Sequence, residues 1–138
     1  METAIRFIGK IHSALKRIEQ CPLQENENAP EAAIIIFPEF IEGIRNIQVG
    51  SEILLFTWLH LADRGVIQCK PRNKHEAPLT GVFSTRSPDR PNPIGLHAVK
   101  VLSISDNGSM KVSGLEVIDQ TPLIDIKPVW NASPKEGL

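Results

Sequence analysis

The feature that most constrains this fold is a proline-rich stretch over residues 81–96, the signature segment, which reads GVFSTRSPDRPNPIGL. Each proline fixes its own φ near about −65° and pushes the residue before it toward extended backbone. Ser87, Arg90 and Asn92 precede these prolines and do not continue a helix easily, while Gly95 permits a close backbone approach. A stiff loop with polar side chains suits a binding site, because little conformational entropy remains to be lost on binding. The alternative is a rigid connection between two strands.

Short apolar runs separated by turns favour an all-β fold. We expect a half-buried first strand around residues 5–11, a polar loop over 21–31, and a short helix or turn from Pro38 to about Gly43. Asp-Asn-Gly-Ser at residues 106–109 predicts a hairpin turn. Further strands are expected at 33–37, 53–60, 66–70, 97–105, 110–118 and 123–129. About seven strands predict a small, mainly antiparallel β-barrel with one or two short helices.

Length and composition predict one domain over residues 1–138, with a core over about residues 5–130 and a tail over 131–138. The sequence shows no apolar run of membrane-spanning length and no leader for export. Cys21 and Cys69 alone do not make a disulfide scaffold. We therefore expect a cytoplasmic protein without a membrane partner.

Charge is unevenly distributed, although the net charge is only −1. The region from His60 to Lys100 carries seven basic and three acidic residues, a net charge of +4, and the remainder carries −5. Such asymmetry focuses a positive field on one part of the protein, although an ordinary solvated loop explains it equally well. We expect no metal, because zinc-ligand spacing is missing from His60, Cys69, His75 and His97.

Two sequence blocks carry a family resemblance. The signature segment resembles the G-V-F-A-T-R-S-x-x-R-P-N-P-I-G motif of the TsaA-like, or TrmO-type, tRNA methyltransferases that use S-adenosylmethionine. DQTPLIDIKP at residues 119–128 resembles their second block, D-G-T-P-[LV]-[LV]-D-I-K-P. The resemblance runs from about Ile8 to Pro128 and implies a small antiparallel β-barrel, a homodimer, and S-adenosylmethionine as cofactor.

The resemblance also implies a set of cofactor-binding residues. Arg86 matches the Thr-Arg arginine of the motif, and a guanidinium grips a carboxylate with two hydrogen bonds, so we expect it to hold the methionyl carboxylate or order the loop. Glu116 is expected to accept hydrogen bonds from ribose hydroxyls, with an ordinary strand over residues 113–116 as the alternative. The full set is Gln24, Glu25, Asn26, His60, Leu61, Arg86, Leu96, Ser113, Gly114, Leu115 and Glu116.

The chain departs from the family pattern at several of these places. The family's Pro-Arg-Gln loop reads Pro-Leu-Gln at residues 22–24, and its His-Gln step reads His-Leu at residues 60–61. Asp89 stands where the family commonly has an aromatic residue. Gln120 replaces the glycine of the second block and tolerates a positive φ poorly.

The second block also supplies candidate catalytic residues. Asp125 and Lys127 are two apart on a predicted strand and share a face, so they form either an ion pair or a contact with the acceptor base. Asp119 or Asp125 is the candidate to remove a proton from an adenine N6 amine. An exposed aspartate is a poor base at neutral pH, so burial would have to raise its pKa. The catalytic candidates are therefore Asp119, Asp125 and Lys127.

The implied substrate is RNA. Arg72, Lys74, Arg90 and Asn92 suit phosphate and sugar contacts on an RNA loop, and base stacking would fall to Phe83, Trp58 or Trp130. The expected reaction is methylation of N6 of threonylcarbamoyladenosine at position 37 in a tRNA anticodon loop. The alternatives are a methyltransferase of the same fold acting on a small molecule or another RNA, and a non-catalytic module that binds S-adenosylmethionine or RNA. Better-known members carry a further C-terminal domain, whose tRNA contacts we do not expect here.

Overall fold

The fold is given by a computed structural model, which describes residues 1–16, 30–70 and 77–130. In chain order the strands are β1 (Gly9–His12), β2 (Ala32–Ile36), β3 (Glu52–Trp58), β4 (Gln68–Cys69), β5 (Thr80–Gly81), β6 (Ile94–Ile104), β7 (Ser109–Val112) and β8 (Pro122–Pro128). Two 3₁₀ helices span Pro38–Ile44 and Val82–Ser84. Neither is long and apolar enough to cross a membrane, and the described ranges contain no other candidate span.

Six of the strands pair into a closed antiparallel barrel. Their order is β1-β2-β7-β6-β3-β8, and β8 returns to β1, while β4 and β5 form a separate two-stranded ribbon. Inward-facing residues alternate with outward-facing ones along β6, where His97, Val99 and Val101 are buried. The predicted small antiparallel barrel with one or two short helices is confirmed.

Strand β1 begins later than the sequence pattern predicted. Ile5 and Phe7 remain 50% and 39% exposed, and the strand starts at Gly9. The partner strand β2 ends at Ile36 because Pro38 opens a 3₁₀ helix, so residues 5–7 have no neighbour there to pair with. The alternation of Ile5, Phe7 and Ile11 therefore overestimates the length of the strand.

Two other strand boundaries differ from the predictions by three residues or more. Strand β6 begins at Ile94, inside the signature segment, rather than at residue 97. Strand β7 ends at Val112 rather than at residue 118, and the chain then leaves the sheet. Leu115 and Val117 remain buried, which explains the strand-like apolar alternation of this stretch. The hairpin turn at residues 106–109 is confirmed, with Gly108 at φ 88°.

Gly95 of the signature segment lies where the barrel has no room for a side chain. A Cβ on this residue would collide with Thr57 Oγ1 and lie 2.6 Å from His97 Nε2. Those two side chains are 0% and 4% exposed and share a hydrogen bond of 2.8 Å. A glycine is therefore required at this position. A bulkier residue would displace the two buried polar side chains, which have no water to hydrogen-bond with instead.

We expect Gly95→Ala to lower the free energy of unfolding by about 1–3 kcal/mol, the usual cost of overpacking a core. Urea denaturation measures this change. Gly81→Ala is the matched control in the same segment, because a Cβ there meets nothing within 4 Å. A Gly95→Ala protein as stable as the Gly81→Ala protein would contradict this explanation.

Candidate functional site

Both sequence blocks meet at one end of the barrel. Across β3 and β6, Gly95 lies opposite Thr57 and Leu96 lies opposite Phe56. On the other side of β3, Asp125 lies opposite Phe56. Leu96 and Asp125 are thus separated by one strand, or about 10 Å. The end of the signature segment and the start of β8 therefore border the same outer face of the sheet.

The side chain of Arg90 makes its hydrogen bonds within the signature segment itself. Its Nε donates to the carbonyl of Ser87 at 2.7 Å, and one terminal nitrogen donates to Thr85 O at 2.5 Å and Val82 O at 3.1 Å. Prolines supply carbonyls without N–H groups, so a loop rich in them needs donors from elsewhere. Arg90 supplies these donors, which differs from its predicted role as a phosphate contact.

The guanidinium of Arg86, unlike that of Arg90, is available to a ligand. Its side chain is exposed, and within the described residues its guanidinium has no hydrogen bond or ion pair. The backbone that carries it is held on both sides, because Thr85 Oγ1 donates to Val82 O at 2.8 Å and accepts from Ser87 N at 3.2 Å. A fixed backbone with an unused guanidinium is an arrangement suited to an anionic ligand.

A turn after β3, residues 59–65, is tied to the signature segment. Leu59 N donates to Pro93 O at 2.8 Å, and Asp63 N donates to an oxygen of Asp89 at 2.8 Å. Arg64 Nε donates to Pro91 O at 2.7 Å. The contacts bring the predicted cofactor residues His60 and Leu61, both exposed, next to the signature segment.

Asp119 is surrounded by donors. It accepts from Ser13 N at 2.9 Å, from Lys16 Nζ at 2.9 Å and from Gln120 Nε2 at 3.3 Å, and His12 Nδ1 lies 3.4 Å away. The backbone N–H of Ser13, then Lys16, hold the pKa of Asp119 well below its usual range, more than its partial burial raises it.

The lowered pKa favours a structural role for Asp119 over the role in catalysis predicted from the sequence. A base at neutral pH would need a raised pKa, and the pKa of Asp119 moves in the other direction. Gln120 beside it has φ 71°, the only positive φ of a non-glycine residue among those described. Its N–H donates to Ile11 O at 2.7 Å, so the residue that replaces the family glycine keeps the left-handed turn. We therefore assign Asp119 to holding β1 and Lys16 against this turn.

We expect the stabilisation by Asp119 to depend on pH. Because its pKa is lower in the folded protein than the ordinary 3.8, the stabilisation is complete above about pH 5 and is lost as the pH falls below about 4. The difference in unfolding free energy between the wild type and Asp119→Asn should therefore be constant from pH 7 to 5 and shrink toward pH 3. Urea denaturation at these pH values tests it, and a difference that stays constant to pH 3 would contradict it.

Asp125 and Lys127 lie on the outer face of β8. Their side chains form an ion pair of 3.7 Å and are 50% and 61% exposed. They stand opposite Phe56 and Leu54 of β3, and the extra residue Ile124 is accommodated by a bulge. The shared face predicted from their spacing is confirmed, and the ion pair that was one of two expectations is present.

The remaining predicted cofactor residues are spread over two places. Leu96 is 38% exposed on the outer face of β6. Ser113 exchanges hydrogen bonds with the backbone of Lys100, farther along β6, and Gly114 is half-buried beside it. Leu115 is fully buried in the core and its N–H donates to Pro30 O at 3.1 Å, and one carboxylate oxygen of Glu116 is buried.

Other predicted residues have different outcomes. Gln24, Glu25, Asn26, Arg72 and Lys74 lie outside the described residues. Asn92 is exposed and its side-chain oxygen accepts from Arg64 at 3.2 Å. Phe83 is 80% exposed and Trp130 is 52% exposed, whereas Trp58 is covered by Arg64, whose guanidinium lies 5.1 Å from the ring centre.

Within the described ranges, no group of three His, Cys, Asp or Glu side chains is placed to hold a metal ion.

Two shallow depressions lie elsewhere on the barrel. One of about 260 Å³ is lined by Glu52, Ala98, Val99, Lys100 and Ser113. A second of about 320 Å³ adjoins it at Glu52 and is lined by Asn46, Ile47, Ser51, Glu52, Ile53, Pro128 and Val129. Neither is lined by Arg86.

Comparison with known proteins identifies a family and several relatives named as S-adenosyl-L-methionine-binding proteins. Residues 10–133 match the family described as the tRNA-methyltransferase O N-terminal domain. A probable S-adenosyl-L-methionine-binding protein of Methanothermobacter thermautotrophicus is 40% identical over 130 residues, which cover 94% of this chain and 92% of that protein. A probable S-adenosyl-L-methionine-binding protein of Archaeoglobus fulgidus is 38% identical, with 93% of this chain and 34% of that protein covered.

Solved structures give the same result. The crystal structure of TrmO from Pseudomonas aeruginosa is similar with a TM-score of 0.72 and 26% identity, covering 100% of this chain. This chain spans 60% of the length of that structure. The protein belongs to the tRNA-methyltransferase O N-terminal domain family, which confirms the resemblance found in the sequence.

Proposed function

We propose that this protein binds S-adenosylmethionine at the signature segment and transfers its methyl group to N6 of threonylcarbamoyladenosine at position 37 of tRNA. The observation that carries the proposal is the contrast between the two arginines of the signature segment. Arg90 donates hydrogen bonds to three backbone carbonyls, whereas Arg86 is exposed and has no partner among the described residues. The relatives named as S-adenosyl-L-methionine-binding proteins support the choice of cofactor.

Arg86 would hold the methionyl carboxylate of the cofactor. A planar guanidinium matches a carboxylate with two parallel hydrogen bonds, which fixes both position and orientation. Leu61, beside the signature segment, and Leu96, at its end, are apolar side chains that are 57% and 38% exposed and suit the apolar faces of the ligand. His60, the residues 113–116 and the segment with Gln24, Glu25 and Asn26 complete the proposed cofactor set.

The bound cofactor supplies a methyl group activated by its positively charged sulfur. Transfer to the adenine N6 would form the N–C bond with the electron pair of the nitrogen, break the C–S bond toward sulfur and require the nitrogen to release a proton. Asp125 is the remaining carboxylate candidate for this proton. It is half-exposed on the face that the two blocks share, and RNA bound there would exclude the water around it.

RNA recognition would use the ends of the signature segment. Phe83 is 80% exposed beside the fully buried Val82, and stacking of a base on such a ring contributes about 1–3 kcal/mol. Arg72, Lys74 and Asn92 remain the proposed phosphate and sugar contacts, whereas Arg90 is no longer one. Action on tRNA also fits the cytoplasm as the site of this protein.

A second copy of the chain is part of the proposal. Phe56, Ile94, Leu96 and Ala98 lie on the outer face of β3 and β6, and Ile94 is 44% exposed. Monomeric proteins rarely leave a contiguous apolar face open. A homodimer would cover this face and complete the site, and sedimentation at micromolar concentrations tests it.

A second candidate function is non-catalytic binding of S-adenosylmethionine. The names of the relatives mention binding and no reaction, and the lowered pKa of Asp119 makes it the poorer of the two candidate bases. The two functions are distinguished by incubating the protein with methyl-labelled cofactor and tRNA, digesting the RNA, and identifying the labelled nucleoside.

Label on threonylcarbamoyladenosine supports the proposed reaction. Calorimetric binding of the cofactor without label in tRNA supports the non-catalytic function, or a methyltransferase for another RNA or a small molecule. If calorimetry detects no binding at millimolar cofactor, both functions fail.

A further inference from the structure

We propose that Arg64 and Asp89 act together as a latch that positions the cofactor-binding residues of the proposed methyltransferase. The latch rests on the proposed function, but its residues are not among those predicted from the sequence blocks to bind the cofactor or the RNA. It joins the turn at residues 59–65 to the signature segment by contacts from both side chains.

Arg64 holds one side of the latch. Its Nε donates to Pro91 O at 2.7 Å and a terminal nitrogen donates to Asn92 Oδ1 at 3.2 Å. Its guanidinium also covers the ring of Trp58, the last residue of β3, at 5.1 Å. A cation stacked on an aromatic ring keeps its planar orientation. Arg64 therefore connects the end of β3 to the two residues that precede Pro93.

Asp89 holds the other side. Its carboxylate accepts from Asp63 N at 2.8 Å, and the Asp63 side chain accepts from Gly65 N at 2.8 Å, which closes the turn on itself. Asp89 stands where the family commonly has an aromatic residue. In this chain the departure from the pattern therefore supplies a hydrogen-bond acceptor to the neighbouring turn.

The latch lies between the proposed ligand contacts. His60 and Leu61 lie in the latched turn, and Arg86 lies three residues before Asp89. Displacement of a binding group by about 1 Å is enough to lose much of its contribution. Arg64 and Asp89 are therefore positioning residues, which act on the ligand through the relative placement of Leu61 and Arg86.

The test compares Arg64→Ala, Asp89→Ala, Asp89→Asn and the double alanine variant in the full chain. Calorimetry measures the Kd for S-adenosylmethionine, and thermal denaturation measures stability. We expect each alanine variant to raise Kd about 10-fold, equivalent to about 1.4 kcal/mol. The double variant should bind as weakly as either single one, because both residues fix the same geometry.

Conservative replacement separates positioning from charge. Asp89→Asn keeps an acceptor oxygen for Asp63 N and should bind within about 2-fold of the wild type. In a Trp130→Phe background Trp58 is the only tryptophan, and its emission should change in Arg64→Ala but not in the control Arg45→Ala. Arg45 is exposed and pairs only loosely with Glu42, at 3.8 Å.

The outcomes are distinguishable. Wild-type affinity in both alanine variants overturns the latch and leaves the proposed function intact. A loss of affinity that multiplies in the double variant also overturns it, since independent contacts would then explain the data. If the wild type itself binds no cofactor, the proposed function fails, and the latch is judged by hydrogen exchange: faster exchange of the Asp63 amide in Asp89→Ala supports it, and unchanged exchange overturns it.

Discussion

Replacement of Arg90 by alanine is expected to lower the free energy of unfolding by about 3–4 kcal/mol. Three hydrogen bonds would be lost in a part-buried loop, and the carbonyls of Ser87 and Thr85 would lose the donor that Arg90 gives them, whereas Val82 O keeps the backbone N–H and Oγ1 of Thr85. Each such hydrogen bond contributes about 1 kcal/mol, and an unsatisfied buried carbonyl costs more. In thermal denaturation the midpoint should fall by on the order of 10 °C.

Arg90→Lys is the informative companion variant. Lysine keeps the charge but lacks the planar fork that reaches several carbonyls at once, so we expect it to recover less than half of the lost stability. Wild-type stability in Arg90→Ala would contradict the structural role of this arginine and return it to the candidates for RNA contact.

Replacement of Arg86 by alanine is expected to weaken cofactor binding and to leave the stability of the protein unchanged. The Kd for S-adenosylmethionine should rise about 10- to 100-fold, which corresponds to the loss of a charge-assisted hydrogen-bonded pair of about 1.5–3 kcal/mol. The unfolding temperature should not change, because Arg86 makes no hydrogen bond or ion pair in the part of the chain that is described. Calorimetry and thermal denaturation of the same samples measure both quantities.

The two arginine variants control for each other. They lie four residues apart in one loop, so a non-specific disturbance of the loop would affect binding and stability in both. Unchanged affinity in Arg86→Ala, or a large fall in its unfolding temperature, would contradict the assignment of Arg86 to the ligand.

Much of the fold could be predicted from the sequence. Apolar runs located β2 and β3, and alternation located most of β6. Pro38 and Gly108 marked a helix start and a turn, because proline restricts φ and glycine extends its range. The strand bounds predicted before β1 and after β7 were wrong for different reasons. Residues 5–7 alternate but have no neighbouring strand to pair with, because β2 ends at Ile36. Leu115 and Val117 alternate because they are buried, although they do not belong to a paired strand.

The candidate site was less accessible to prediction. The sequence shows that Arg86 and Arg90 are both basic, but only the loop geometry shows which guanidinium is occupied. Arg64 was missed because nothing in its local sequence indicates that it reaches Pro91, 27 residues later. The pKa of Asp119 depends on Ser13 and Lys16, more than 100 residues earlier, and no local pattern encodes such a contact.

The proposed function requires both sequence blocks to meet around one ligand. A crystal structure with bound S-adenosylhomocysteine tests this most directly. We predict that its carboxylate contacts Arg86 and that the ligand lies between the signature segment and the face carrying Asp125. A ligand seated instead at the opposite end of the barrel, against Asn46, Ile53 and Pro128, would contradict the account.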